Sequence, residues 1–128
     1  NDTHSTHANS HGRLMGEIDP ALGAFVADLK AQGNFNRVML RTFSELGRRV
    51  TENNSGGTDH GAAAPMFVLG GGVKPGIYGK QPSLTKLTDG DLSYNVDFRS
   101  VYATVLDNWM KAPSEKVLRR KFQTMAFA

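Results

Sequence analysis

Apolar residues recur at three- and four-residue steps early in the chain, at Leu14, Ile18, Leu22, Phe25, Val26 and Leu29. That spacing predicts an amphipathic helix. Asp19-Pro20 reads as an N-cap followed by a first-turn proline, so the helix begins there or a first segment bends there. Gly33 reads as the C-terminal stop. Residues 1–12, polar and holding His4, His7 and His11, read as a loop. Residues 37–43 are nearly continuously apolar and predict a strand buried on both faces, as in a parallel sheet. A polar loop over 51–64 and a second strand over 65–69 follow, with Gly70-Gly71-Gly72 as the exit turn. Residues 73–96 carry Pro-Gly and Asp-Gly turn signals and predict irregular structure with short strands or a hairpin. The next helix runs from Asp97, a candidate N-cap, to Met110, with Phe98, Val101, Tyr102, Val105, Leu106 and Trp109 on one face. A last short helix starts at Ala112-Pro113-Ser114-Glu115 and ends near Arg120. The fold class is α/β, a parallel or mixed sheet with flanking helices. Two core strands are few for such a sheet, which suggests that other strands complete it.

Composition narrows this picture modestly. A chain of 128 residues with 39% apolar and 21% charged residues is a single α/β domain or a portion of a larger one, and is not disordered. The net charge of +3 is spread along the chain, without the dense basic stripe of a nucleic-acid partner. Arg119-Arg120-Lys121 reads as a solvated helix end. The absence of cysteine excludes disulfides, thiolate metal sites and cysteine nucleophiles. No apolar run reaches the roughly 18 residues of a membrane span. Asn1 in place of Met reads as a processed chain or a fragment.

Candidate chemistry lies in three acid or histidine clusters: Asp2-Thr3-His4, Ser44-Glu45 and Asp59-His60. The last two sit beside the predicted strands, where α/β proteins present ligands. Oxygen and imidazole donors without sulfur suit zinc, manganese, magnesium or iron. Asp59-His60, flanked by Gly56-Gly57 and Gly61, is either a metal-ligand pair or a solvated turn. Glu45 is a candidate ligand or proton acceptor, while Ser44-Glu45 equally suits a helix start. On such a helix Arg48 would lie one turn later, as an anion-binding group or as a salt-bridge partner of Glu45 or Asp59. His7 and His11 read as exposed loop or helix-start residues. Gly70-Gly71-Gly72 is not a phosphate loop, because no Lys-Ser/Thr follows in register.

Asp2-Thr3-His4-Ser5, Thr42-Phe43-Ser44-Glu45-Leu46-Gly47-Arg48-Arg49, Gly57-Thr58-Asp59-His60-Gly61, Met66-Phe67-Val68-Leu69-Gly70-Gly71-Gly72-Val73-Lys74 and Asp97-Phe98-Arg99-Ser100-Val101-Tyr102-Ala103 occur in this order. Together they resemble the bacterial family labelled domain of unknown function 1501, which looks like a branch of the alkaline phosphatase and sulfatase superfamily. The resemblance implies that this chain is the C-terminal part of a larger alkaline-phosphatase-like domain. It implies divalent metal ions, zinc or manganese, near Asp2, His4, Glu45, Asp59 and His60, with Arg48 assisting the anionic group of a small phosphate or sulfate ester. The superfamily's nucleophile lies upstream, so this chain alone would be inactive without the missing N-terminal part. Many family members carry an export signal, which implies an extracytoplasmic location. The superfamily commonly has Asp-His where this chain has Ser44-Glu45, which favours an alternative: a catalytically degenerate exported binding or scaffold protein.

Overall fold

The computed structural model describes residues 3–128, a mixed α/β fold of helices and two small antiparallel sheets. Asp2 lies outside the described residues. Helix α1 spans His7–Ala31. It therefore begins well before Asp19, with Pro20 inside it, and residues 7–12 are helix rather than loop. Gly33 takes a left-handed φ of 70° just beyond the end, the conformation for which a glycine stop is suited. Leu14, Leu22, Val26 and Leu29 are half-buried, while Ile18 and Phe25 are exposed; no residue of α1 is fully buried.

A 3-10 turn over Phe35–Arg37 leads into β1, Met39–Arg41. β1 pairs antiparallel with β4, Val68–Gly70, in the register Met39↔Gly70, Leu40↔Leu69 and Arg41↔Val68. The parallel sheet expected for these two strands is not formed by them. A parallel pair needs a crossover connection, usually a helix. The chain between β1 and β4 is instead folded as a second hairpin, β2 (Gly47–Glu52) and β3 (Thr58–Gly61). The region expected as helix start and loop is therefore strand. Its residues are mostly polar and exposed, so it carries no alternation of apolar positions to announce it. Ser44 starts no helix: its hydroxyl donates to the Leu46 carbonyl and accepts from the Leu46 amide, closing a local turn.

Residues 73–96 are irregular, as their turn signals predict, with one bridge between Thr88 and Asp91. Asp89 and Gly90 between them have φ of 51° and 79°, the positive pair a tight type I′ hairpin turn requires. Helix α2, Phe98–Thr104, opens with Asp97 as N-cap, its carboxylate accepting from the Arg99 amide. A π-helical turn over Val105–Trp109 continues it. Helix α3 spans Ser114–Leu118, and Arg119-Arg120-Lys121 is exposed beyond its end.

The buried apolar core consists of Val101, Ala103 and Phe127. Fully buried Thr104 ties α2 to the C-terminal segment: its hydroxyl donates to the Ser100 carbonyl and accepts from the Met125 amide, both at 2.7 Å. Trp109 covers Gly72 so closely that a Cβ there would fall 2.2 Å from the indole. The triple glycine is thus a turn that also makes room for an aromatic ring. Among the described residues, no helix is long and apolar enough to cross a membrane.

Candidate metal centre

The β2–β3 hairpin is closed by Asn53-Asn54-Ser55-Gly56-Gly57, residues whose side chains and backbones favour turns. The Asn53 Oδ1 accepts from the amides of Ser55 and Gly57, and Gly56 has a left-handed φ of 66°. The entry to α1 docks on this tip: the Thr6 amide donates to the Ser55 carbonyl and the His7 amide to the Gly56 carbonyl. Gly57 is indispensable to the approach, since a Cβ there would lie 2.4 Å from the His4 carbonyl oxygen. Turn chemistry thus carries His4 over the hairpin to its partners, 55 and 56 residues away in sequence.

His4 Nε2 faces His60 Nε2 at 2.9 Å, and His4 Nδ1 faces Asp59 Oδ1 at 3.4 Å. Asp59 and His60 are consecutive on β3, where regular alternation would send them to opposite faces. The ladder is irregular at this point: Arg48 pairs with His60 and Glu52 with Thr58, leaving Arg49, Val50 and Thr51 opposite Asp59 alone. Such a bulge increases the local twist and re-aims side chains. Asp59 and His60 consequently reach opposite nitrogens of the same imidazole.

Asn53 is the residue that sequence reasoning passed over. Its Nδ2 donates to both the His4 carbonyl, at 2.9 Å, and Asp59 Oδ1, at 3.1 Å. The hydrogen bond from Asn53, then that from His4, holds the Asp59 carboxyl below its usual value of 3.8. The sequence signal for Asn53 was only that of a turn residue. Asp91, just after the Asp89-Gly90 turn, had no signal of its own in the sequence. Its Oδ1 is buried, has no hydrogen-bond partner among the described residues, and would touch a Cβ placed on Gly61 at 2.7 Å.

The remaining predicted residues separate. Glu45 is exposed and lines a hollow with Phe43, Asp97, Arg99 and Tyr102. Arg48 lies on β2, not on a helix, and its guanidinium donates to the Thr58 carbonyl at 2.8 Å. Among the described residues, no group of three or more His, Asp or Glu side chains is placed to hold an ion together. The His4–His60 pair does meet the spacing of shared ligation. Two imidazole nitrogens on one tetrahedral zinc lie about 3.3 Å apart, given Zn–N distances of 2.0–2.1 Å. The observed 2.9 Å is within a few tenths of an ångström of that. Asp59 on the opposite nitrogen takes the orienting position that carboxylates commonly hold behind a ligating histidine.

The fold and this cluster define a small mixed α/β protein with a histidine pair backed by a carboxylate. The chain belongs to the family described as protein of unknown function DUF1501, whose profile matches residues 1–120. No curated protein and no solved structure matches it.

Proposed function

We propose that this chain is the metal-holding portion of a metal-dependent hydrolase of small phosphate or sulfate esters. One observation carries the reading: His4 and His60 meet nitrogen to nitrogen at 2.9 Å while Asp59 backs His4. If Nδ1–H of His4 donates to Asp59, its Nε2 carries a lone pair, which accepts from His60 in the absence of an ion. An ion would replace the shared proton of that contact. Zinc or manganese suits these donors. Such an ion supplies Lewis acidity toward an ester oxygen and acidifies a nucleophile. His4 and His60 would hold it, Asp59 would orient His4, and Asn53 would orient both His4 and Asp59. Asp2 and Glu45 belong to the proposed ligand set, with Glu45 requiring a movement of the 43–46 turn to join it. Arg48 belongs beside it as an anion contact.

The same reading places the chain within an alkaline-phosphatase- or sulfatase-like domain, exported from the cytoplasm, whose nucleophile is supplied by further polypeptide. The accessible surface supports completion by additional protein. It measures 9196 Å², against about 6,700 Å² for a self-contained protein of 13.9 kDa.

The separation of Glu45 from the histidine pair favours a second reading, a degenerate binding or scaffold protein of the same fold. Elemental analysis of the natively purified chain tests the first reading. Stoichiometric zinc or manganese that is lost in His60→Ala is the expected result. Metal content unchanged by His60→Ala would overturn the assignment of His60, and turnover of phosphate esters by the isolated chain would overturn the need for an external nucleophile.

A further inference from the structure

Helix α1 has an unusually weak beginning. Its N-cap residue, Thr6, has a left-handed φ of 45° and makes no side-chain cap, and no acidic residue occupies the first turn. The His7 amide is satisfied by the Gly56 carbonyl, but no side chain caps the turn and no carboxylate offsets the helix dipole. The first turn nonetheless holds an ordered pair. His7 and His11, four residues apart, lie on one face, with ring centroids 5.6 Å apart and planes inclined by 18°. His7 Nδ1 is fixed from behind: it lies 3.0 Å from Thr3 Oγ1 and 3.3 Å from the Thr3 carbonyl oxygen. A carbonyl acceptor at Nδ1 requires the proton there, and so turns the Nε2 lone pair outward.

We propose that His7 and His11 form a second divalent-metal site, separate from the His4–His60 pair. Its ligand class is a borderline transition ion such as Zn²⁺ or Cu²⁺, for which imidazole is suited. Two histidines at positions i and i+4 of a helix present their rings to one ion, the arrangement that zinc-binding helices use. Two imidazoles on a tetrahedral ion place their centroids about 5 Å apart, from the Zn–N distance and the ring radius. The observed centroid separation of 5.6 Å is close to that, with the rings stacked at 18°, so one ring must rotate before both nitrogens face a common ion. His11 is exposed and makes no hydrogen bond among the described residues, so its ring is free to turn about a soft χ2 torsion toward Nε2 of His7. His7 carries the fixed hydrogen bond behind a ligand that metal-binding histidines almost always show. Waters complete the coordination.

The ion would act as a clip. It joins residues 7 and 11 across the turn where helix formation is costliest. That turn is docked on the hairpin tip through the Thr6 and His7 amides, immediately after His4. The ion sits at the positive end of the helix dipole, which weakens binding and makes the site responsive to metal concentration.

Calorimetric titration of the whole chain with Zn²⁺ alone, at pH 7.5, tests the proposal. The chosen variant, His11→Ala, replaces an exposed residue with the best helix former, so the fold is expected to persist; circular dichroism checks this. One binding event should survive in His60→Ala and weaken at least tenfold in His11→Ala. Amide exchange provides a second measurement. Zn²⁺ should slow exchange at residues 10–13 at least tenfold in the parent and in His60→Ala, but not in His11→Ala. An unchanged isotherm in His11→Ala, or equal protection in both variants, would overturn the site. Loss of all binding in His60→Ala would also overturn it while leaving the His4–His60 centre standing.

Discussion

The residue with the widest influence on the candidate centre is Asn53, whose amide nitrogen reaches His4 and Asp59 while its oxygen closes the hairpin tip. Asn53→Ala should let the Asp59 carboxyl rise toward its ordinary value of 3.8, because the bond from Asn53 is the first cause of its lowering. The sign of the stability effect follows. A carboxyl whose folded-state value is lowered favours the folded state above its unfolded value, and that contribution disappears as pH falls through the lowered value. Asp59 therefore supports the hairpin at neutral pH and ceases to do so only in acid below 3.8. NMR titration of the Asp59 carboxyl in the parent and Asn53→Ala measures the shift directly; identical midpoints would assign the lowering to His4 instead. Asp107 is a structural counterpart: it accepts from the Ser114 amide at 2.8 Å and the Ser114 hydroxyl at 2.7 Å, holding the start of α3. Asp107→Ala should lower the denaturation midpoint, because the Ser114 amide and hydroxyl at the start of α3 lose their acceptor.

At the scale of elements, α2 and the hairpin tip show what holds and what was legible. The apolar face over Phe98–Trp109 and the cap at Asp97 announced α2 because packing and capping there obey local rules. The extra residue in its π-helical turn, where the Met110 amide bonds the Val105 carbonyl, has no local signature. Thr104 was equally silent, since a threonine within an apolar face says nothing of a distant amide. Thr104→Val keeps the shape but leaves the partly buried Met125 amide unpaired, so a loss of about 1 kcal/mol is expected in chemical denaturation. The hairpin was misread for the opposite reason. Polar strands with one bulge lack periodicity, and the glycine-rich tip suggested a loop. Asp59-His60 could be picked out as chemistry-bearing residues without their strand being seen, whereas Asn53 and Asp91 act only through tertiary placement. Gly57→Ala tests the tip. Its Cβ would collide with the backbone of His4, so the hairpin should fold while His4 is displaced. Disappearance of proton-detected contacts between the His4 and His60 rings, with β2–β3 amide protection retained, is the expected signature. Retention of those ring contacts would show that the approach has slack.

For the whole molecule the dominant fact is unburied apolar surface. Phe43 is 74%, Phe67 63%, Tyr94 65% and Ile77 96% exposed, and among the described residues the buried apolar side chains are Val101, Ala103 and Phe127. The surface in excess of a self-contained protein is about 2,500 Å² on this chain alone, which corresponds to about 5,000 Å² counted over both partners, the upper part of the range of permanent interfaces. Phe67, Ile77 and Tyr94 line one hollow of about 600 Å³, beside the β1–β4 sheet. A face of this kind either meets further polypeptide of the same protein or drives association of the isolated chain. The two cases respond oppositely to one substitution. In the isolated chain Ile77 touches almost nothing, so Ile77→Asn should change stability by no more than about 0.5 kcal/mol and reduce light scattering and dye binding. In a longer polypeptide that covers the hollow, the same asparagine is buried without a partner. It also forfeits the burial of an isoleucine, and the combined cost is about 2–5 kcal/mol. Denaturation midpoints for Ile77→Asn in both backgrounds decide the matter. A neutral effect in the longer polypeptide would mean that its additional residues pack elsewhere, and that the exposed face belongs to contacts between copies.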